Sequence, residues 1–244
     1  MHKNKIFILL LLLFLSLFTG VYGQKATTKN LPKFDHRFMH FGFLLGINSA
    51  NFYVQRHPPT TANTGADSLY VLDPKSSTGF NLGIISSMHL GRYFSLRFTP
   101  NLAFSSRNLV YTFETYEGPK KYTKTIESTL INFPLVIKYK SVRVNNFSAY
   151  ILAGGSYSLD LASNAGHENF STNPKDIIVA IKRDDYLAEI GFGTDFYLEY
   201  FKFGIELKMS YGIRDLLDHD DTQFSSPIDK INSKMFLLSL TFEG

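Results

Sequence analysis

The stretch Ala188–Gly212, AEIGFGTDFYLEYFKFGIELKMSYG, decides how this chain folds. Ala188, Ile190, Phe192, Thr194, Phe196 and Leu198 alternate with Glu189, Gly191, Gly193, Asp195, Tyr197 and Glu199. After a short connection at Glu199–Phe201, Phe203, Ile205, Leu207, Met209 and Tyr211 alternate with Lys202, Gly204, Glu206, Lys208, Ser210 and Gly212. Successive side chains on a strand point to opposite faces. One face is therefore apolar and aromatic, and the other is small, polar or charged. A connection this short makes the two strands antiparallel neighbours.

The same period recurs along the chain and predicts eight strands. They cover Met39–Tyr53, Thr78–Leu90, Tyr93–Phe113, Tyr122–Tyr139, Phe147–Ser158, the two of the opening hairpin, and Lys234–Phe242. The faces of Phe147–Ser158 are ambiguous. Pro100 and Pro134 fall inside strands, where proline removes a ladder donor, and are read as bulges or bends. Short connections at Gly91-Arg92, Lys140–Asn146 and Glu199–Phe201 alternate with long polar ones at Val54–Ser77, Glu114–Lys121, Leu159–Asp185 and Arg214–Ser233. Short turns at one end and long loops at the other characterise outer-membrane barrels, with the short turns periplasmic. An even strand count then puts both termini in the periplasm. The only helical signal, Asn173–Ala180, amounts to a turn or two in a loop.

The N-terminus reads as a secretory signal over residues 1–23: Lys3 and Lys5, then an apolar run Ile6–Phe18, then Val21-Tyr22-Gly23. The run is about 13 residues, short of the ~20 needed to span a membrane as a helix. This predicts Sec export and an arm over residues 24–38, followed by a barrel over 39–244. No later stretch is apolar enough for a transmembrane helix. The chain holds no cysteine, which excludes disulfides, thiolate metal sites and cysteine nucleophiles. Its formal charge is +4, and near +2 without Lys3 and Lys5. That balance offers nothing to nucleic acid.

Alternation alone does not say which face is inside. A soluble lipocalin-like barrel buries its apolar face around a ligand, and a membrane barrel does the reverse. The membrane reading places Arg97, Lys138, Glu189, Asp195, Glu206 and Lys208 in the lumen as a polar network. Turning Arg97 or Lys208 toward the bilayer midplane would cost about 2–4 kcal/mol each. Three features favour the membrane: the Phe, Leu and Ile of the apolar face, the loop alternation, and tyrosines near strand ends (Tyr93, Tyr111, Tyr139, Tyr200, Tyr211), which resemble an aromatic girdle. The expected fold is thus all-β: an eight-stranded antiparallel up-and-down transmembrane β-barrel with a filled lumen, long extracellular loops and short periplasmic turns. Eight strands leave room only for side chains. Cross-strand ion pairs are expected between Glu206 or Lys208 and Glu189, Asp195 or Glu199.

Sites of chemistry are weak by comparison. Asp218-His219-Asp220-Asp221 is the most ligand-like cluster, but it lacks the spacing of a calcium loop and reads as a solvated loop. His36, His40 and His57 have no carboxylate spacing that ties them to a metal. Serines and histidines are too common for a hydrolase triad to stand out. Gly154-Gly155 and Gly191-Phe192-Gly193 do not open helices and are strand glycines rather than phosphate loops. The expectation is a protein that is not an enzyme, with no catalytic residues, no cofactor, no metal and no small-molecule substrate; the alternatives are an outer-membrane enzyme acting on lipid or peptide and a small structural or adhesive barrel.

Two regions carry a family resemblance. Asn30-Leu31-Pro32-Lys33-Phe34-Asp35, followed by His40-Phe41-Gly42-Phe43-Leu44-Leu45-Gly46-Ile47-Asn48, resembles the start of the mature PorT family. Asn132–Tyr139 and Glu189–Leu216 are similar to it as well. The resemblance spans most of the mature chain. It implies an outer-membrane β-barrel of the Bacteroidetes serving type IX protein secretion and, in gliding species, motility. No catalytic residue comes with it. A filled barrel fits an assembly or accessory role, with outer-membrane lipid and other secretion-system subunits as partners.

Overall fold

A computed structural model describes residues 28–56, 68–115, 118–163, 179–218 and 224–244. The signal segment 1–23 lies outside the described residues, as do His57, residues 173–178 and His219-Asp220-Asp221. The strands are β1 (Met39–Arg56), β2 (Ser68–His89), β3 (Phe94–Phe98), β4 (Asn101–Thr115), β5 (Gly118–Lys140), β6 (Phe147–Asp160), β7 (Asp184–Tyr197), β8 (Lys202–Gly212) and β9 (Ile228–Glu243). Every neighbouring pair is antiparallel, and β1 pairs with both β2 and β9. The sheet is therefore a closed up-and-down barrel without edges.

The nine segments are eight barrel strands, because β3 and β4 are one strand interrupted at Thr99-Pro100. Phe98 opposes Leu135 and Asn101 opposes Asn132, so the register against β5 runs unchanged through the gap. Pro100 lacks an N–H, but its carbonyl still accepts from Ile84 at 3.0 Å. Pro134 interrupts nothing: it stays within β5, opposite Ser156, and its carbonyl accepts from Thr99 N at 3.2 Å.

The outer wall is the apolar face. Phe41, Phe43, Ile84, Leu135, Ile137, Ile151, Ile190 and Phe192 are all exposed. On β5 the run from Ile131 to Tyr139 is eight steps of about 3.4 Å. Tilted by about 40°, it spans about 21 Å, close to the ~25 Å apolar band of a membrane barrel. A wall of this extent far exceeds the apolar patch a soluble protein exposes. With charged residues inside, the lipocalin-like alternative is excluded.

The structure corrects several sequence expectations. The connection at Glu114–Lys121 is not a long loop; Thr115 opposes Gly118, and Gly118 takes φ +107 in a tight hairpin. Likewise β2 begins at Ser68 and β9 at Ile228, well inside the expected loops. Beyond the bilayer a strand needs β-forming residues but no apolar outer face. The outward side chains Lys121, Thr123, Thr125 and Glu127 are polar, so the alternation reads this strand only from Tyr122 and leaves Gly118–Lys121 in the loop. Tyr111 is no girdle residue: it shares the inward parity of Arg97 and is fully buried. β6 resolves with Ser148, Tyr150, Leu152, Ser156 and Ser158 inward and Ala149, Ile151, Ala153 and Tyr157 outward. Two apolar side chains on the inner face had made its pattern unreadable.

Candidate functional site

The bore is filled in layers, each set by the inward parity of the strands. In the middle lies a charge network. Arg97 of β3 reaches Glu206 of β8 at 2.6 Å and also pairs with Glu243 of β9. Lys202 Nζ lies 2.8 Å from Glu243 Oε2 and 3.7 Å from Asp195 Oδ2, and Lys138 Nζ lies 2.8 Å from the same Asp195 oxygen. Tyr150 donates its hydroxyl to Glu206 Oε2 at 2.9 Å, and its ring lies 3.4 Å from Lys138 Nζ. Three cations thus face three anions. Buried charges are tolerated only when so paired. A second neutral pair, Lys208 with Glu189 at 2.8 Å, sits beside them, and Ser210 donates to Glu189 at 3.1 Å.

The six residues singled out from sequence are all buried here. They do not form one cluster of neighbours. Lys208 pairs with Glu189 on the adjacent strand. Glu206, by contrast, turns away from β7 and crosses the bore to Arg97. Glu199 lies exposed in the turn and joins no network. Two members were missed, Lys202 and Glu243. Both keep the same two-residue parity as Glu206 and Ser239, and that parity was the available signal.

Above the charges, toward the long-loop end, runs a ladder of amides. Asn48 donates to Asn81 Oδ1 at 2.6 Å, Asn81 to Asn101 Oδ1 at 3.1 Å, and Asn132 to Asn101 Oδ1 at 2.9 Å; Ser158 donates to Asn132 Oδ1 at 2.7 Å. The ladder crosses β1, β2, β4, β5 and β6. Gly79 makes room for it, since a Cβ there would lie 2.7 Å from Asn48 Oδ1 and 1.9 Å from the Phe104 carbonyl oxygen. Arg107 donates to Ser128 at 2.5 Å and lies 3.8 Å from Asp160. A cavity lined by Arg107, Asn132, Asp160, Asp185 and Glu189 measures about 30 Å³, room for roughly one water.

At the long-loop end the interior turns apolar. Phe52, Leu72, Leu109, Tyr111, Phe113, Phe224, Ile228 and Ile231 pack together with Val179, Ile181, Leu216 and Leu217 from the loops. The loop segments are tied down by backbone bonds, Lys182 N to Leu216 O at 2.8 Å and Leu216 N to Ile231 O at 2.9 Å. This lid was not foreseen from sequence, because its members come from strand ends and loops without a shared period.

The opposite mouth is stopped by the arm. Phe34 is buried, with its ring stacked on His40 at 3.7 Å and edge-on to Tyr197 at 6.0 Å. Lys202 Nζ lies 4.8 Å from the Phe34 ring centroid. Asp35 Oδ1 accepts from Lys140 Nζ at 2.5 Å and from the Tyr197 hydroxyl at 3.3 Å. Partial burial raises the Asp35 pKa, but the Lys140 hydrogen bond and charge outweigh it, with help from Tyr197 and Arg143. The carboxyl is held below its ordinary value.

His40, His89 and the Asp218 backbone serve packing and hydrogen bonding. His40 is a packing residue against Phe34 and lies 4.9 Å from His89, centroid to centroid. His36 is exposed in the arm. Asp218 N donates to the Ala180 carbonyl at 3.2 Å. Among the described residues no group of histidine, aspartate and glutamate could hold a metal ion.

Comparison with known proteins follows the architecture. Three solved barrels resemble it. OprG of Pseudomonas aeruginosa is 11% identical, with 85% of this chain and 94% of that one covered at a TM-score of 0.41. Neisserial surface protein A is 11% identical, with 82% and 95% covered at a TM-score of 0.43. Ail of Yersinia pestis, solved with the heparin analogue sucrose octasulfate, is 12% identical, with 85% and 100% covered at a TM-score of 0.36. No curated protein matches the chain. Residues 22–218, most of its length, match the outer membrane protein beta-barrel domain. The chain belongs to that family of outer-membrane β-barrels.

Proposed function

We propose that this protein is a non-enzymatic accessory component of the type IX protein secretion machinery, acting through its surfaces rather than through its bore. The observation that carries the proposal is the filling of the barrel at every level, from Phe34 through the Arg97 network to Phe224. Such a barrel conducts neither proteins nor solutes, which leaves assembly and contact as its work. The likeness of Asn30–Asp35 and Glu189–Leu216 to the PorT family supplies the secretion context. In this reading residues 1–23 direct Sec export, both termini face the periplasm, and the long loops face outward. Partners then meet the arm, the long loops or the lipid-facing wall.

Deleting the gene in its own host tests the proposal. Cargo of the type IX system should remain inside the cell, and the full chain supplied in trans should restore release. Normal cargo release in the deletion strain would overturn the idea. A pull-down from outer membranes should carry secretion-system subunits with it. The β4–β5 hairpin favours a second reading, a small structural or adhesive barrel. Its outward face beyond the bilayer is polar, with Lys121, Thr123, Thr125 and Glu127 exposed. If trimming that hairpin abolishes surface attachment while cargo release is untouched, the second reading replaces the first.

A further inference from the structure

We infer that the short-turn mouth is a recognition pocket for an aromatic–acidic peptide, which the chain's own Phe34-Asp35 occupies in cis. The inference concerns the mouth alone and stands whether or not the protein serves secretion.

The pocket is built by the barrel, not by the arm. His40 of β1, Tyr197 of β7 and Lys202 of β8 surround the Phe34 ring with a stacked face, an edge and a cation. Lys202 is anchored from below by Glu243 at 2.8 Å, so it is positioned without any help from the arm. Lys140 and the Tyr197 hydroxyl form the carboxylate subsite at 2.5 and 3.3 Å from Asp35 Oδ1. At the rim, Asn146 Oδ1 accepts from the backbone N–H of Asn30 at 2.9 Å, and Arg143 pairs with the Asn30 carbonyl. An aromatic slot, a cationic subsite and a backbone clamp together define a ligand: an aromatic residue followed by a carboxylate.

The occupant is exchangeable because it is not woven into the barrel. Between the rim clamp at Asn30 and Phe38, whose carbonyl accepts from His89 N at 2.9 Å where the barrel begins, the backbone bonds are local to the arm: Phe34 N to Leu31 O, His36 N to Lys33 O and Arg37 N to Phe34 O, at 3.1–3.2 Å. Docking of Phe34-Asp35 therefore rests on side chains and the rim clamp, and their leaving breaks no strand ladder so long as Phe38 stays paired with His89. Leu31 is held at φ 49, a left-handed conformation that a leucine adopts only under constraint. Undocking releases it. A partner segment carrying the same aromatic–acidic pair fits the vacated site and would leave the arm free.

The test uses the full chain in detergent micelles and a fluorescent peptide of Thr28–Phe38. The arm is disabled by Phe34→Ala with Asp35→Asn. The peptide should bind this chain saturably and at least about tenfold tighter than it binds the unaltered chain, where the tethered arm competes at an effective concentration in the millimolar range. A peptide carrying the same two changes should bind at least about tenfold more weakly. No binding, or equal binding of the two peptides, overturns the inference. If the double variant fails to show the heat-modifiable band of a folded barrel, Asp35→Asn alone serves. Trypsin should then cleave after Lys33 and Arg37 several-fold faster than in the unaltered chain, and an unchanged cleavage rate overturns the inference.

Discussion

Replacing Arg97 by methionine probes whether the middle of the bore is dry. Methionine keeps most of the side-chain volume and removes the charge. Arg97 is 1% exposed and bonds two carboxylates from two strands, Glu206 and Glu243. Without it, Asp195, Glu206 and Glu243 face only Lys138 and Lys202, so one buried negative charge is left uncompensated. Removing one partner of a buried pair costs about 3–5 kcal/mol. With a urea m-value of about 2 kcal/mol/M, the unfolding midpoint in lipid vesicles should fall by about 1.5–2.5 M. Adding Glu206→Gln to Arg97→Met leaves four charges, two of each sign, and should recover about 1–3 kcal/mol of the loss. The readout is the fraction of heat-modifiable, folded band across a urea series. If Arg97→Met alone unfolds within about 0.5 kcal/mol of the unaltered protein, water solvates the network and the account of a filled bore is wrong.

Three further outcomes follow from other parts of the molecule. Gly79→Ala would push a methyl group to 1.9 Å from the Phe104 carbonyl oxygen, so β2 must shift; the same urea series should show a loss of at least about 2 kcal/mol. Leu135→Arg places a charge on the lipid face near the middle of the apolar run and should cost about 2–4 kcal/mol, whereas Thr123→Arg on the protruding hairpin should cost less than about 0.5 kcal/mol. Because Lys140 holds the docked Asp35 carboxyl below its ordinary value, arm docking should be fully present above the ordinary carboxylate range and be lost as pH falls through the lowered value. A spin label on the arm would report this as increased mobility only in strong acid, and Asp35→Asn should abolish the transition.

Much of the wall was legible in the sequence. Ala188–Gly212 pairs as its alternation demands, with Ile190 opposite Met209 and Phe192 opposite Leu207. Within the bilayer the pattern is strict because lipid accepts only apolar side chains, so every strand there repeats the same contrast. Legibility fails where that contrast lapses. The start of β5 has a polar outer face, Lys121, Thr123, Thr125 and Glu127, since water lies there, although Tyr122 and Ile126 on its inner face pack against the apolar cluster. Tyr150 and Leu152 blur β6 because they fill space within the bore. The partners of Arg97 were not legible either. Sequence neighbourhood suggests pairing between adjacent strands, as Lys208 and Glu189 do, but a long side chain in a narrow barrel reaches the opposite wall. The docking of Phe34 depends on His40, Tyr197 and Lys202 converging from three strands, and no local pattern announces it.

Glu243, the final residue of β9, joins the centre of the charge network. Lys202 meets Glu243 directly across the β8–β9 ladder, but Arg97 on β3 reaches Glu243 and Glu206 only when the sheet curls shut, so an open sheet entering the membrane would carry unpaired charge into hydrocarbon. Closure of the final seam and entry into the bilayer are thereby tied into a single cooperative event: half-closed intermediates are penalised electrostatically by Arg97 and the two carboxylates it has yet to meet.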